Sequence, residues 1–336
     1  MKARLIINPI SGTQSKEGLS DKVKAALSPS GWEIDTVFTR CHGDATRLAA
    51  EAAAQGFEAV IAAGGDGTVN ETAAALCDTP TALGLIPCGS GNGLARHLDI
   101  PVDIDESLRI LASEQPRKID YATVEAAEGD RVKFFCTFGV GFDAAVSEAF
   151  ARQPRRGKLT YLKTTFQTFA SFEPEEYVIT AGGIVVSERA LLVAVCNASQ
   201  YGNNAYIAPG AKIDDGMLDV TIIHAGSPLS AALVGFDLLV GNLGKNLHYH
   251  TFRTPSITIS RRSPGVAHAD GEPIDLPAEL KIDCHPSAIN VFAPRNVGPV
   301  KPFVTPVMAA MTDLRLAVNK IIRRAEHRFT ELTEKS

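Results

Sequence analysis

Over its first 125 residues or so the chain alternates short β-rich apolar runs with helical patterns, and this alternation limits the fold more than any other feature. ARLIIN gives way to a polar segment reaching Trp32, EIDTVFT precedes DATRLAAEAAAQG, EAVIAAGG precedes VNETAAAL, and TALGLIPCG precedes GLARHL. Parallel strands need long crossovers, which helices usually supply, so the pattern predicts an α/β N-terminal domain on a parallel sheet. From about residue 130 the texture changes. RVKFFCTF, EYVITAG, GIVVSE, ALLVAVCNA, LDVTIIHA, SITISR, AELKIDC and AINVFA are short strands parted by turn residues, with long helical patterns only near 143 to 172 and 228 to 247. They predict a β-rich, mainly antiparallel C-terminal domain. Between 305 and 332, Met311, Leu314, Val318, Ile321, Ala325, Phe329 and Leu332 recur three or four apart, the spacing of a helix that packs back on the N-terminal domain. The expected division is 1–125, 126–298 and 299–336.

A length of 336 residues with 45% hydrophobic content suffices for two cores. A formal net charge of -5 argues against a general nucleic-acid binder, which needs a basic surface for its phosphate contacts. Six cysteines stand scattered, with no CxxC pair, and indicate neither a zinc site nor a disulfide framework. The apolar start is too short for a signal peptide and no window approaches the ~18 apolar residues of a membrane span. The expected location is cytoplasmic, at most peripheral to a membrane.

GGDGT at 64 to 68 directly follows the buried-type strand AVIAA and leads into a helix. Glycines there permit backbone conformations and close approach that side chains forbid, and the open N–H groups of a helix start favour an anion. Any strand-to-helix turn can carry glycine, but the logic recurs: TALGLIPCGSGNGLARHL is another strand, another loop with glycines at 89, 91 and 93, and another helix start. NPISG at 8 to 12 is a third such loop, so three strand ends open toward one crevice, where parallel sheets usually bind ligands. A P-loop would need GxxxxGK[ST], which is absent; GKL at 157 to 159 is the nearest fragment. GVGFDA at 139 to 144 fits a dinucleotide fingerprint only in part, because no carboxylate follows at the distance needed for the ribose.

GGDGTVNE at 64 to 71, PCGSGNGLARHL at 87 to 98, GVGFDAAV at 139 to 146, NASQYGNNAYIAPGAKIDDGMLDV at 197 to 220 and DGE at 270 to 272 together resemble the diacylglycerol kinase catalytic domain family. That family includes bacterial lipid kinases and sphingosine and ceramide kinases, and is distantly related to NAD kinases and phosphofructokinases. The resemblance spans residues 3 to about 295. It implies ATP- and Mg²⁺-dependent phosphorylation of a lipid hydroxyl, such as that of diacylglycerol or a sphingoid or ceramide-type acceptor, with ATP between the two domains. The alternatives are a soluble-substrate kinase of the NAD kinase type and a catalytically silent nucleotide- or lipid-binding regulator.

Phosphoryl transfer needs positioning, neutralisation of phosphate oxygens and an acceptor for the hydroxyl proton. Gly64, Gly65, Gly67 and Thr68 would cradle phosphate, and Asp66 would act through Mg²⁺, although an aspartate at a helix start also fits a simple cap. Asn8, Asn70, Ser90 and Gly91 join the nucleotide loops, and Thr39 stands where relatives contact nucleotide. The Asp-Gly pair in AHADGEPIDL is by itself a tight-turn signal; the resemblance makes Asp270 the general base, with Glu272 adjacent in the metal network and Asp120 a third acidic position near the metal. KIDDGMLDV resembles a structural magnesium site in which Asp215 supplies the side chain, and a DG turn before MLDVTII fits equally. GSGNG departs from the GTxND of bacterial diacylglycerol kinases toward the sphingosine and ceramide kinase form, and Lys16 is the nearest lysine after NPISG. Arg152, Arg155, Arg156, Lys158 and Lys163 form a basic stretch at 151 to 164 without an acid, either a solvated face or a contact for ATP or anionic headgroups. The sequence leaves a homodimer open.

Overall fold

A computed structural model of the protein describes residues 1–12, 16–126, 129–153, 172–224 and 248–295, with a few positions between 164 and 246. The C-terminal helix expected at 305 to 332 and all but the first residue of the basic set at 152 to 163 lie outside the described residues.

Four strands, β1 (Lys2–Ile7), β2 (Glu33–Phe38), β3 (Ala59–Gly64) and β4 (Ala82–Pro87), lie parallel in the order β2-β1-β3-β4, with the half-exposed β2 at the edge. Helices α1 (Leu19–Leu27), α2 (Asp44–Ala54), α3 (Asp66–Leu76), the short α4 (Gly93–His97) and α5 (Ile104–Ser113) connect or follow them. Every residue of β3 and β4 is buried, because helices cover both faces of the sheet. One layer of core packs Leu48, Ala49, Val60, Ala62, Ala73 and Leu76, and the other packs Leu5, Ile7, Val23, Leu27, Ile61 and Leu108. The predicted α/β domain is therefore present, and α1 forms within the segment read from sequence only as polar.

Beyond it come β5 (Pro116–Glu125), β6 (Arg131–Phe134), β7 (Thr137–Gly141), α6 (Phe142–Ala151), β8 (Glu175–Ala181), β9 (Ile184–Cys196), β10 (Leu218–His224), β11 (Tyr249–Thr254), β12 (Ser256–Arg261), β13 (Gly265–Ala269), β14 (Glu272–Leu276) and β15 (Glu279–Phe292). Their mutual pairings are antiparallel, as the alternating short strands predict. Their core packs Phe134, Phe138, Tyr177, Val193, Val195, Ile259 and Ile282.

Three boundaries differ from the sequence reading in ways that matter. GIVVSE and ALLVAVCNA are one strand, β9, and AELKIDC and AINVFA are one strand, β15. β15 pairs antiparallel with β5 and touches β4 in parallel at Val291↔Leu83, so parallel and antiparallel parts form one continuous sheet. RVKFFCTF, conversely, is broken: β6 ends at Phe134 and β7 begins at Thr137. The break frees backbone N–H groups that a continuous strand would have spent on its neighbours.

Candidate active site

The three glycine loops meet. Gly64 ends β3, Gly65 is the N-cap of α3, and Asp66 starts the helix, whose first N–H groups have no intrahelical acceptor. Asn8 donates from Nδ2 to Thr68 Oγ1 at 3.0 Å, tying the first loop to the second. Thr39 is buried at the end of β2, where its N–H donates to Ile7. A Cβ on Gly64 would come within 2.5 Å of the Thr68 side chain, and one on Gly89 within 2.7 Å of the Gly65 Cα. Gly67 has nothing within 4 Å of such an atom and is exposed. Ser90 is exposed, whereas Asn70 and Gly91 are half-buried. Lys16 reaches back to the first loop and donates to the Ser11 hydroxyl at 2.8 Å.

Asp66 links α3 to α4. Its Oδ2 accepts from the Asn92 N–H at 2.9 Å and its Oδ1 from the Gly93 N–H at 2.7 Å. It therefore does cap a helix, but the helix is α4. A Cβ on Gly91 would sit 2.6 Å from Asp66 Oδ2, so that glycine is required by the aspartate beside it. Asp66 stays partly exposed.

Asp270 and Gly271 form the two-residue turn between β13 and β14, with φ of 50° and 85°. Positive φ at both positions suits a tight hairpin, so the turn suggested by the residues alone is real. It also aims the carboxylate inward. Asp270 Oδ2 accepts from Phe135 N–H at 2.8 Å, and Oδ1 accepts from Cys136 and Thr137 N–H at 2.7 and 2.9 Å, at the break between β6 and β7. Burial pushes its pKa up to about 6, against the three hydrogen bonds, which favour the carboxylate. Both acids act on Cys136: burial raises its thiol pKa most, and the charges of Asp270 and Asp66, carried on different parts of the sheet, raise it further.

Behind Asp270 stands a buried network that sequence reading did not single out. His268 Nδ1 accepts from Gly271 N–H at 3.3 Å, which leaves Nε2 as the protonated nitrogen, donating to Asp143 Oδ2 at 3.1 Å. Tyr201 donates to the same oxygen at 2.9 Å, and Asp143 Oδ1 accepts from Ala144 N–H. Asn197 Nδ2 donates to the Phe135 and Asp120 carbonyls, both at 2.9 Å, fixing the broken strand. GVGFDA and NASQY carry these residues, but no local pattern pairs them.

Other candidates fall elsewhere. Glu272 is exposed at the first position of β14, next to the turn. Asp120, expected near the metal, is fully buried, and its oxygens accept from Gly216 N–H at 2.6 Å and Ser287 N–H at 2.7 Å. Burial raises its pKa, and its acidic neighbours are Asp214 and Asp215, with no contact to Asp66 or Asp270. It holds loops together. Asp215 accepts from Met217 N–H and pairs with Arg253, whose Nε also lies 3.4 Å from Asp219 Oδ2. A guanidinium thus lies against the carboxylate expected to hold a structural Mg²⁺. Among the described residues no group of three or more His, Cys, Asp or Glu could hold a metal. Asp66 still fits a Mg²⁺ brought by a nucleotide, since that ion usually keeps its waters and binds through one or two carboxylates plus phosphates.

Glycine loops at the ends of parallel strands, joined through one continuous sheet to a β-rich half that carries the buried Asp270, define the candidate site. The family model of the diacylglycerol kinase catalytic domain matches residues 2–124, and that of the YegS C-terminal NAD kinase beta sandwich-like domain matches residues 136–293. A "Probable lipid kinase YegS-like" of Pseudomonas fluorescens is 30% identical over 88% of this chain and 96% of its own. Another of the same name from Xanthomonas campestris pv. campestris is 31% identical, over 87% and 96%. A diacylglycerol kinase structure from Bacillus anthracis str. Sterne shares the fold, with a TM-score of 0.68 at 22% identity over 88% of this chain and 98% of that one. An ATP complex of an NAD kinase from Archaeoglobus fulgidus shares it more distantly, with a TM-score of 0.50 at 13% identity over 88% and 94%. The chain belongs to the diacylglycerol kinase catalytic domain family and is a kinase.

Proposed function

We propose that the protein transfers the γ-phosphoryl group of ATP to the hydroxyl of a membrane lipid, with Mg²⁺ travelling on the nucleotide. The observation that carries this reading is Asp270: a carboxylate with a pKa of about 6, held by three backbone donors at Phe135, Cys136 and Thr137, with Asp66 of the glycine loops acting on the same Cys136. A general base works best with a pKa near the working pH. In this reading residues 1–125 hold ATP, with Gly64, Gly65, Gly67, Thr68, Asn70, Asn8, Thr39, Ser90 and Gly91 around its phosphates and sugar, and residues 126–298 hold the acceptor. Asp66 orients Mg²⁺, which when bound neutralises the phosphate oxygens. Asp270 takes the hydroxyl proton, Glu272 stands at the rim, and Asp120 positions rather than reacts.

The lipid part of the reading rests on the relatives that carry the name probable lipid kinase. Among the described residues no helix is long and apolar enough to cross a membrane, so the enzyme would meet its acceptor at the surface, from the cytoplasm.

The test is purified protein with labelled ATP and Mg²⁺ against diacylglycerol, sphingoid base, ceramide and monoacylglycerol in mixed micelles, with NAD as the soluble arm. Labelled lipid is the expected product. Label in NAD alone, or in nothing, would refute the proposal.

A further inference from the structure

At the C-terminal end of α4 lies a cavity of about 630 Å³, lined by none of the glycine-loop residues, that the kinase reading does not use. Its walls carry Arg96, Arg117, Lys212 and Arg295 against Asp99 and Asp214, an excess of two positive charges. His97 adds none. Its Nδ1 accepts from Ser199 N–H at 3.1 Å, and burial first, then the Arg117 charge, lower its pKa to about 4. Asp214 is already engaged, accepting from Arg117 Nη1 at 3.0 Å. The rest of that guanidinium is not: Nε and Nη2 are buried and have no hydrogen-bond partner among the described residues. Leaving charged donors unpaired in a wall is costly unless something fills the space. Planar guanidinium forks with a lysine beside them match phosphate oxygens, and the volume exceeds what a bare phosphate needs.

We propose that this cavity is a second ligand site, separate from the glycine loops, that takes a phosphate monoester carried by a small molecule or a lipid headgroup. Arg117 supplies the buried fork, and Lys212 and Arg295 close on the anion from the exposed rim. Arg96 joins the two sites, because its Nε donates to the Gly91 carbonyl at 2.9 Å, in the loop that packs on Asp66.

The test uses glycerol 3-phosphate in calorimetry as the soluble probe, and neutral phosphatidylcholine vesicles with and without phosphatidic acid as the lipid probe. Wild type, a Lys212→Gln/Arg295→Gln double variant and Gly65→Val are compared, with melting temperatures as the folding control. The expected result is that the double variant weakens binding at least tenfold while keeping its ATP affinity, and that Gly65→Val keeps binding the monoester. Loss in the soluble arm assigns a small molecule, and loss confined to the vesicle arm assigns a headgroup. Unchanged binding by the double variant, or no binding of either probe at millimolar concentration, overturns the proposal. Binding lost in Gly65→Val alone would send the anion to the glycine loops, which removes this site and leaves the kinase reading intact. No outcome depends on which lipid, if any, is phosphorylated.

Discussion

Replacing Asp270 by Asn separates two effects of one carboxylate. In the folded chain its pKa stands at about 6, above the ordinary carboxylate value of 3.8. That difference corresponds to about 3 kcal/mol. For a raised pKa, the folded state binds the proton more tightly than the unfolded one. The stabilising contribution is therefore fully present below about pH 4 and is lost as pH rises through 6. Wild type stripped of divalent ions should lose up to about 3 kcal/mol from this group between pH 4 and 7, and Asp270→Asn should lack that component of the slope. The absolute stability of the variant is set by a second effect, since one amide edge must face the Phe135 N–H and oppose donor to donor. The assay is urea unfolding of both proteins in chelator at pH 4.5 and 7.5, read as the difference of differences. The same variant should cut turnover by ~10²- to 10⁴-fold while leaving ATP affinity nearly unchanged. Equal pH slopes in the two proteins would refute the raised pKa. Loss of ATP binding as complete as in Gly65→Val would move Asp270 from proton transfer to the nucleotide site.

Asp66→Asn should remain folded and lose most γ-phosphoryl transfer, so near-normal turnover by a well-folded variant would remove Asp66 from the chemistry. Gly91→Ala, whose methyl would meet Asp66 at 2.6 Å, should lower kcat/KM at least about tenfold by displacing that carboxylate. Gly67→Ala meets no protein atom and should keep its melting temperature while weakening ATP in a nucleotide titration; unaltered ATP affinity would mean that phosphate does not lie over the start of α3. Arg253→Gln should lower Tm by a few degrees and make it sensitive to millimolar Mg²⁺, because Asp215 and Asp219 lose their cation. A wild-type Tm that falls in chelator would show that Arg253 does not replace a metal there. The basic stretch at 151 to 164 should give stronger binding to anionic than to neutral vesicles, weakened by salt since screening acts over about 8 Å at physiological ionic strength; equal binding to both would discount it.

How much of this was legible in the sequence depended on distance along the chain. The glycine loops could be read because strand, turn and helix start are contiguous, and three copies point to one crevice. The role of Asp270 could not be read from its own neighbours, because Asp-Gly is first of all a turn and its three donors lie over 130 residues earlier. RVKFFCTF looks like one strand, since nothing local tells Phe135 and Cys136 to leave the ladder; the acceptor that compensates them comes from elsewhere. Asp143, His268 and Tyr201 escaped notice for the same reason. Asp120 and Asp215 were placed by resemblance, and the partners they meet, Ser287 N–H and Arg253, are again remote. Hydrophobic period reports what a segment buries, while polar satisfaction is settled only when distant segments meet.

β15 runs through both halves of the sheet, and its pairing with β5 slips between His285 and Ile289. Ser287 there has φ of 53°, and its N–H is held by Asp120. If the crevice narrows around a nucleotide, this strand has to bend, because no slack tether separates the halves at this seam. The bulge is where it can yield, in the manner of a leaf spring with one thinned section, and Asp120 is the rivet that sets its stiffness. Softening that rivet would change how fast the crevice opens and shuts without touching a single atom that reacts.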